Sequence, residues 1–179
     1  GSSIASQVSS LFGGDVPDVE CIKEMPNFVN TIHGLLKDKK ILSYHDRSDG
    51  GLITTSIEMA FAGRLGVDIK LDLLPSNAED VVSDLFNEEL GVVIQIAKED
   101  EELVMRALDS CSLKEHSYAF GVLNKDKDIK LISNNKTIHK WPLKTLLKEW
   151  HKVSYGIQSL RDNPETAKYE YLYDIDSER

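Results

Sequence analysis

Apolar residues in this chain switch between two spacings, and the switch restricts it to a fold that mixes helices with strands. Phe28, Val29, Ile32, Leu35 and Leu36 form one helical stripe. Pro26 suits the first helical position, and Lys37, Lys39 and Lys40 complement the helix end. Val67, Ile69 and Leu71 instead alternate with Asp68, Lys70 and Asp72, the period of a half-exposed strand.

The same reading extends along the chain. Residues 41–44 read as a short buried strand, followed by a polar run, Gly50-Gly51 and a helix over 52–62. A short helix is expected over 78–86, and the β-branched run 91–97 as a central strand. Glu99 to Glu102 put acid at the start of a helix that carries Leu103, Val104, Ala107, Leu108 and Cys111. Tyr118, Phe120 and Val122 alternate, as do Ile129 and Leu131, and Asn134-Asn135 suits a tight turn between paired strands. The last long helix is expected over 143–160, with Leu143, Leu146, Leu147, Trp150, Ile157 and Leu160 on one face and Trp141 and Trp150 as anchors. Ile4, Val8, Leu11 and Phe12 suggest a short helix, broken by Gly13-Gly14-Asp15, with Pro17 keeping the chain extended. The sum is α+β: a mixed or mainly antiparallel sheet with helices packed on it. Residues 1–162 read as one domain, and 163–179, acidic and poorly periodic, as a linker.

Composition excludes several classes of function. Lys and Arg number 21 against 30 Asp and Glu, a formal net charge of −9, which argues against a nucleic-acid backbone as partner. A single nucleotide remains compatible, because one phosphate site needs few donors and a metal. No apolar run approaches the roughly 20 residues of a membrane span, and no signal-peptide pattern opens the chain. Cys21 and Cys111 form neither a disulfide framework nor a metal knuckle and read as small buried thiols. A reducing, cytoplasmic setting is expected.

The chemistry concentrates in His45-Asp46-Arg47-Ser48-Asp49-Gly50-Gly51. A helix start with free N–H groups favours an anion, and glycine removes the side chains that would block it. Ser48 can donate its hydroxyl to a phosphate oxygen, and Asp49 can cap the helix. Asp46 beside phosphate would repel it unless a cation intervenes, and Mg²⁺ takes one or two carboxylates plus phosphate oxygens. One carboxylate cannot hold the ion unaided. A capped helix start with a solvated turn explains the same residues, so spacing alone leaves both readings open.

The run HDRSDGGL, with EMAFAG (Glu58 to Gly63) and LFNEELG (Leu85 to Gly91), resembles phosphoribosylformylglycinamidine synthase of the large, single-chain type. The resemblance is to its second synthetase-like C-terminal domain, of the AIR synthase-related kind. GSSIASQV at the start resembles that family's entry into the domain, and LRDNPE (Leu160 to Glu165) the segment before its glutaminase domain. Position 2 is Ser where the family usually has Gly, and no role is carried to Gly1 or Ser2. The resemblance implies an ATP- and glutamine-dependent ligase of purine biosynthesis. ATP phosphorylates an amide oxygen of the substrate, and ammonia from glutamine displaces that phosphate. It implies Asp46 as a Mg²⁺ ligand and Ser48 as an ATP or ADP contact, at the auxiliary of two nucleotide sites. The other Mg²⁺ ligands belong to a preceding synthetase half, and the nucleophile to a following glutaminase. No catalytic residue is assigned to this segment, which alone should be inactive.

Other candidates have plain structural readings. Glu88 and Glu89 offer paired acids but read as a solvated edge. Arg47 could clamp phosphate or pair with Asp46 or Asp49, and His45 could be a base or a packed histidine. His33, His116, His139 and His151 show no ligand spacing. Two rival readings stand beside the ligase: the C-terminal half of another enzyme with this architecture (aminoimidazole ribonucleotide synthetase, selenophosphate synthetase or thiamine-phosphate kinase), and a structural module that touches no ligand. LFNEELG and LRDNPE speak against the first.

Overall fold

A computed structural model describes residues 3–11, 13, 22 and 24–177. In chain order the helices are α1 (Ile4–Ser9), α2 (Glu24–Lys37), α3 (Gly51–Gly63), α4 (Val81–Phe86), α5 (Glu101–Ser110), α6 (Leu143–Arg161) and α7 (Pro164–Asp176). The strands are β1 (Ser43–Asp46), β2 (Gly66–Lys70), β3 (Val92–Gln95), β4 (Gly121–Asn124), β5 (Asp128–Ser133) and β6 (Lys136–Pro142). They divide between two compact units, Gly1–Met59 with Leu73–Phe120, and Ala60–Asp72 with Gly121–Arg179. The α+β expectation holds: β1 and β3 pair antiparallel, and a four-stranded sheet in the order β4-β2-β5-β6 contains one parallel pair, β2 with β5.

In the first unit, α2 and α5 bury Leu35, Val104 and Leu108, joined by Leu113. Ile41, Ile94 and Ile96 from the β1–β3 segments pack on this cluster, as does the partly buried Cys111. Two sequence expectations shift here. The strand expected over 41–44 runs instead over Ser43–Asp46, because His45 and Asp46 pair with Val93 and Val92. Alternation tolerates these polar residues, since one face of the strand is open. Secondly, 92–95 is not a central strand: among the described residues its only partner is β1. Its apolar side chains are covered by helices rather than by flanking strands. The α1 helix forms with Ser3 as N-cap, yet buries none of its residues. Phe12, the Gly14-Asp15 break, Pro17 and Cys21 lie outside the described residues.

In the second unit, Ile69 and Ile129 are fully buried on neighbouring β2 and β5. The β5–β6 hairpin turns through Asn134 and Asn135 at φ +49° and +58°, the positive pair that a two-residue turn requires. Asp72 fastens that turn, accepting from Ser133 Oγ at 2.9 Å and from Asn134 N–H at 2.8 Å. The last long helix spans Leu143–Arg161, close to expectation, but its apolar face is divided. Leu143 and Leu147 are buried, whereas Trp150, Ile157 and Leu160 are exposed. Trp150 still meets Phe61, ring centroids 5.8 Å apart, while Trp141 is half-buried on β6 beside His139.

Most of the segment 163–179, read as acidic and poorly periodic, forms α7. Asn163 caps it, its Oδ1 accepting from Glu165 and Thr166 N–H, and Pro164 occupies the first turn, where no N–H is needed. Ala167 and Ile175 are buried, and Tyr171 stacks on Tyr155 of α6 at 4.5 Å. The capping signal Asn-Pro outweighs the weak periodicity, and the segment is helical.

Candidate functional site

The two motifs separated by some forty residues in sequence interlock within the first unit. Gly51 sits at φ +70°, and a Cβ there would lie 2.7–2.8 Å from backbone atoms of Leu85 and Phe86. Its bareness admits the chain's own LFNEELG segment. Arg47 completes the lock: its N–H donates to Gly91 O (2.9 Å), its Nε to Glu89 O (2.6 Å) and its guanidinium to Leu90 O (3.2 Å). Burial pushes the Arg47 guanidinium down from its ordinary value, against the opposing charge of Glu89. Arg47 is therefore a staple between loops. Among the described residues it forms no ion pair with Asp46 or Asp49, and two of its guanidinium donors are spent on the Glu89 and Leu90 carbonyls.

The acid at the start of α3 is Glu88. Its Oε1 accepts from Gly50 N–H at 2.8 Å and from Ile4 N–H at 2.9 Å. Glu88 thus departs from the solvated edge expected of it: a half-buried carboxylate fills the position where an anion was expected, favoured by the positive end of the helix. Asp49 is exposed, and among the described residues no hydrogen bond reaches its carboxylate, so it does not cap the helix.

Asp46 and Ser48 are both exposed to solvent. Tyr44, two residues before Asp46 and on the same strand face, donates its hydroxyl to Asp46 Oδ1 at 2.5 Å. The Tyr44 phenol is raised to about 12, by burial first and then by the Asp46 hydrogen bond and charge. The second Asp46 oxygen carries no hydrogen bond among the described residues. His45 faces the other side of β1. Its Nδ1 lies 2.7 Å from Asp46 O and its Nε2 2.8 Å from Glu58 Oε2 on α3. A carbonyl only accepts, so Nδ1 carries a hydrogen. His45 is accordingly a hydrogen-bonded histidine, the plainer of its two readings.

Among the described residues no group of three or more His, Cys, Asp or Glu side chains converges to hold a metal. What the segment offers Mg²⁺ is one hard oxygen donor with one oxygen to spare, which fits a site completed by phosphate oxygens, water and other protein segments. His33, His116 and His139 are exposed. Tyr44, Glu58 and the position of Glu88 escaped the sequence reading. Apolar patterning over 41–44 puts Tyr44 at a buried strand end, and the contact of Glu58 exists only once α3 is laid against β1. No described helix is long and apolar enough to cross a membrane.

Comparison with known proteins places this geometry in a family. The sequence profile described as AIR synthase related protein, C-terminal domain, matches residues 1–134. The chain belongs to that family. This AIR synthase-related domain is 40% identical over 172 residues to phosphoribosylformylglycinamidine synthase of Schizosaccharomyces pombe, covering 95% of the chain but only 13% of that protein. Among solved structures it resembles Thermotoga maritima PurL complexed with AMPPCP, at a TM-score of 0.59 and 14% identity, over 67% of this chain and 21% of that one. The PurL complex with ATP matches at 0.57 and 12%, over 67% and 21%. Escherichia coli HypE, a hydrogenase maturation protein, matches at 0.52 and 23%, over 65% and 41%. At these identities the structural matches establish the AIR synthase C-terminal fold and no more.

Proposed function

We propose that this AIR synthase-related domain is part of a phosphoribosylformylglycinamidine synthase, an ATP- and glutamine-dependent ligase of purine biosynthesis that works in the cytoplasm. The whole enzyme would convert an amide into an amidine. A phosphoryl group from ATP makes the amide oxygen a leaving group, and ammonia from glutamine displaces it as phosphate. The 40% identity over 95% of the chain supports this reading. The domain would act with a preceding synthetase half and a following glutaminase in the same longer chain, with residues 1–162 as the domain proper and 163–179 leading onward.

Within that enzyme Asp46 would be one ligand of a Mg²⁺ ion and Ser48 a contact of ATP or ADP, at an auxiliary nucleotide site. The observation that carries this is the exposure of both side chains, Asp46 at the end of β1 and Ser48 on the turn that follows, where Arg47 and Glu88 pin the chain to the LFNEELG segment. A pinned turn presents its donors without the entropy cost of ordering a loose one. Bound Mg²⁺ would offset the charge of the polyphosphate. The Ser48 hydroxyl would hydrogen-bond a phosphate oxygen, and Asp46 would meet the nucleotide only through the ion. The PurL structures solved with ATP, AMPPCP and ADP agree with a nucleotide-binding architecture.

One observation favours a second reading, an organising module without ligand contact: Gly50 N–H is already bonded to Glu88. Asp46→Asn and Ser48→Ala in the full-length protein separate the two. The ligand reading expects ADP and Mg²⁺ to bind at least about tenfold more weakly in calorimetry, as losing a ligand or a charge-assisted bond implies. Unchanged affinity in both variants would leave the organising module as the function.

A further inference from the structure

We propose that Tyr44, His45 and Glu58 are positioning residues that hold the Asp46 carboxylate in the direction a metal ligand needs, Glu58 acting through His45. The proposal rests on the reading of Asp46 as a ligand and assigns three further residues to it.

The geometry restrains Asp46 from three sides. Its carbonyl oxygen is held by His45 Nδ1 at 2.7 Å, and the N–H of the next residue, Arg47, donates to Gly91 O at 2.9 Å. Both ends of that planar peptide unit are hydrogen-bonded, which restrains the backbone that aims the Asp46 side chain. Tyr44 then takes Oδ1 at 2.5 Å, which sets the plane of the carboxylate and leaves the other oxygen open. His45 keeps its ring angle because Glu58 Oε2 holds Nε2 at 2.8 Å from the flank of α3. Strand alternation makes this possible: Tyr44 and Asp46 share the open face, while His45 points to the helix. The Glu58 and His45 side chains are each about a quarter to a third exposed (23% and 33%), so water competes only in part for their contact. A surface ion pair alone would order little. Here it sits at the end of a line that terminates on a candidate ligand, the arrangement by which outer groups orient metal-binding carboxylates and histidines.

The test uses the full-length protein with Mn²⁺ as the probe in place of Mg²⁺. Free Mn²⁺ is followed by electron paramagnetic resonance during titration in the presence of ADP. Asp46→Asn should abolish the ADP-dependent Mn²⁺ site. Tyr44→Phe and Glu58→Ala should each weaken it roughly 10-fold or more, in the range typical of outer-shell losses. Glu58→Gln, which keeps an oxygen acceptor for His45, should restore affinity to within about threefold. A merely structural role for Glu58 would not distinguish Gln from Ala in Mn²⁺ affinity at matched circular dichroism. If Glu58→Ala fails to fold, Tyr44→Phe against Asp46→Asn carries the test. Normal Mn²⁺ binding in Asp46→Asn overturns the ligand reading itself. Loss in Asp46→Asn with unchanged affinity in Tyr44→Phe and Glu58→Ala overturns the positioning proposal alone.

Discussion

Replacing Gly51 by alanine should separate the two interlocked motifs. At φ +70° an L-residue is strained by ~1–2 kcal/mol. The new Cβ would also lie 2.7–2.8 Å from backbone atoms of Leu85 and Phe86, which cannot rotate away as a side chain can. Overpacking of this kind costs ~1–3 kcal/mol, so the total is ~2–5 kcal/mol. The same methyl has other consequences elsewhere. At Gly50, φ +83°, it meets the side chain of Thr54, which can turn, so Gly50→Ala should be partly rescued by Thr54→Ala. At Gly34, inside α2 with nothing within 4 Å, it should stabilise by ~0.5–1 kcal/mol. Amide hydrogen exchange is the suitable assay, because both tryptophans, Trp141 and Trp150, lie in the second unit and would not report on the first. The Arg47 amide, bonded to Gly91 O, should lose protection by roughly a hundredfold in Gly51→Ala, equivalent to ~3 kcal/mol. The argument fails if Gly51→Ala changes that protection by less than about threefold (~0.6 kcal/mol), or if Gly34→Ala loses as much.

Arg47→Ala should destabilise the first unit by ~2–4 kcal/mol in chemical denaturation, since it strips the Glu89 and Leu90 carbonyls of a charged donor. Tyr44 should titrate late: its folded value of about 12 lies above the ordinary 10.0. The associated stability is therefore complete below pH 10 and lost as pH rises through about 12; absorbance at tyrosinate wavelengths should show its titration move down in Asp46→Asn. Asn163→Ala removes the cap of α7 and should cost ~1 kcal/mol, read as faster amide exchange at Glu165 and Thr166.

The local elements were largely legible in the chain. Helical stripes placed α2, α5 and α6, and Asn134-Asn135 placed the β5–β6 turn, because spacing and turn chemistry are properties of neighbouring residues. The strand end at His45-Asp46 was not legible, because polar residues continue a strand only when a partner, here Val92 and Val93, accepts their backbone. Nor was α7, whose capping signal is two residues long and whose apolar face is small.

The site divided along the same line. HDRSDGG and LFNEELG are legible in the chain as two motifs through their resemblance to a family, and the structure leaves the acid at 46 and the hydroxyl at 48 exposed. That the two motifs close on each other is a matter of contact. Arg47 becomes a staple, Glu88 fills the helix start that looked open to phosphate, and Glu58 reaches His45 across thirteen positions of sequence. Periodicity reports which face a residue occupies, whereas a hydrogen-bond partner is chosen by whichever segment the packed chain brings within 3 Å. The donors could therefore be named from the linear chain, and their partners only after it had folded.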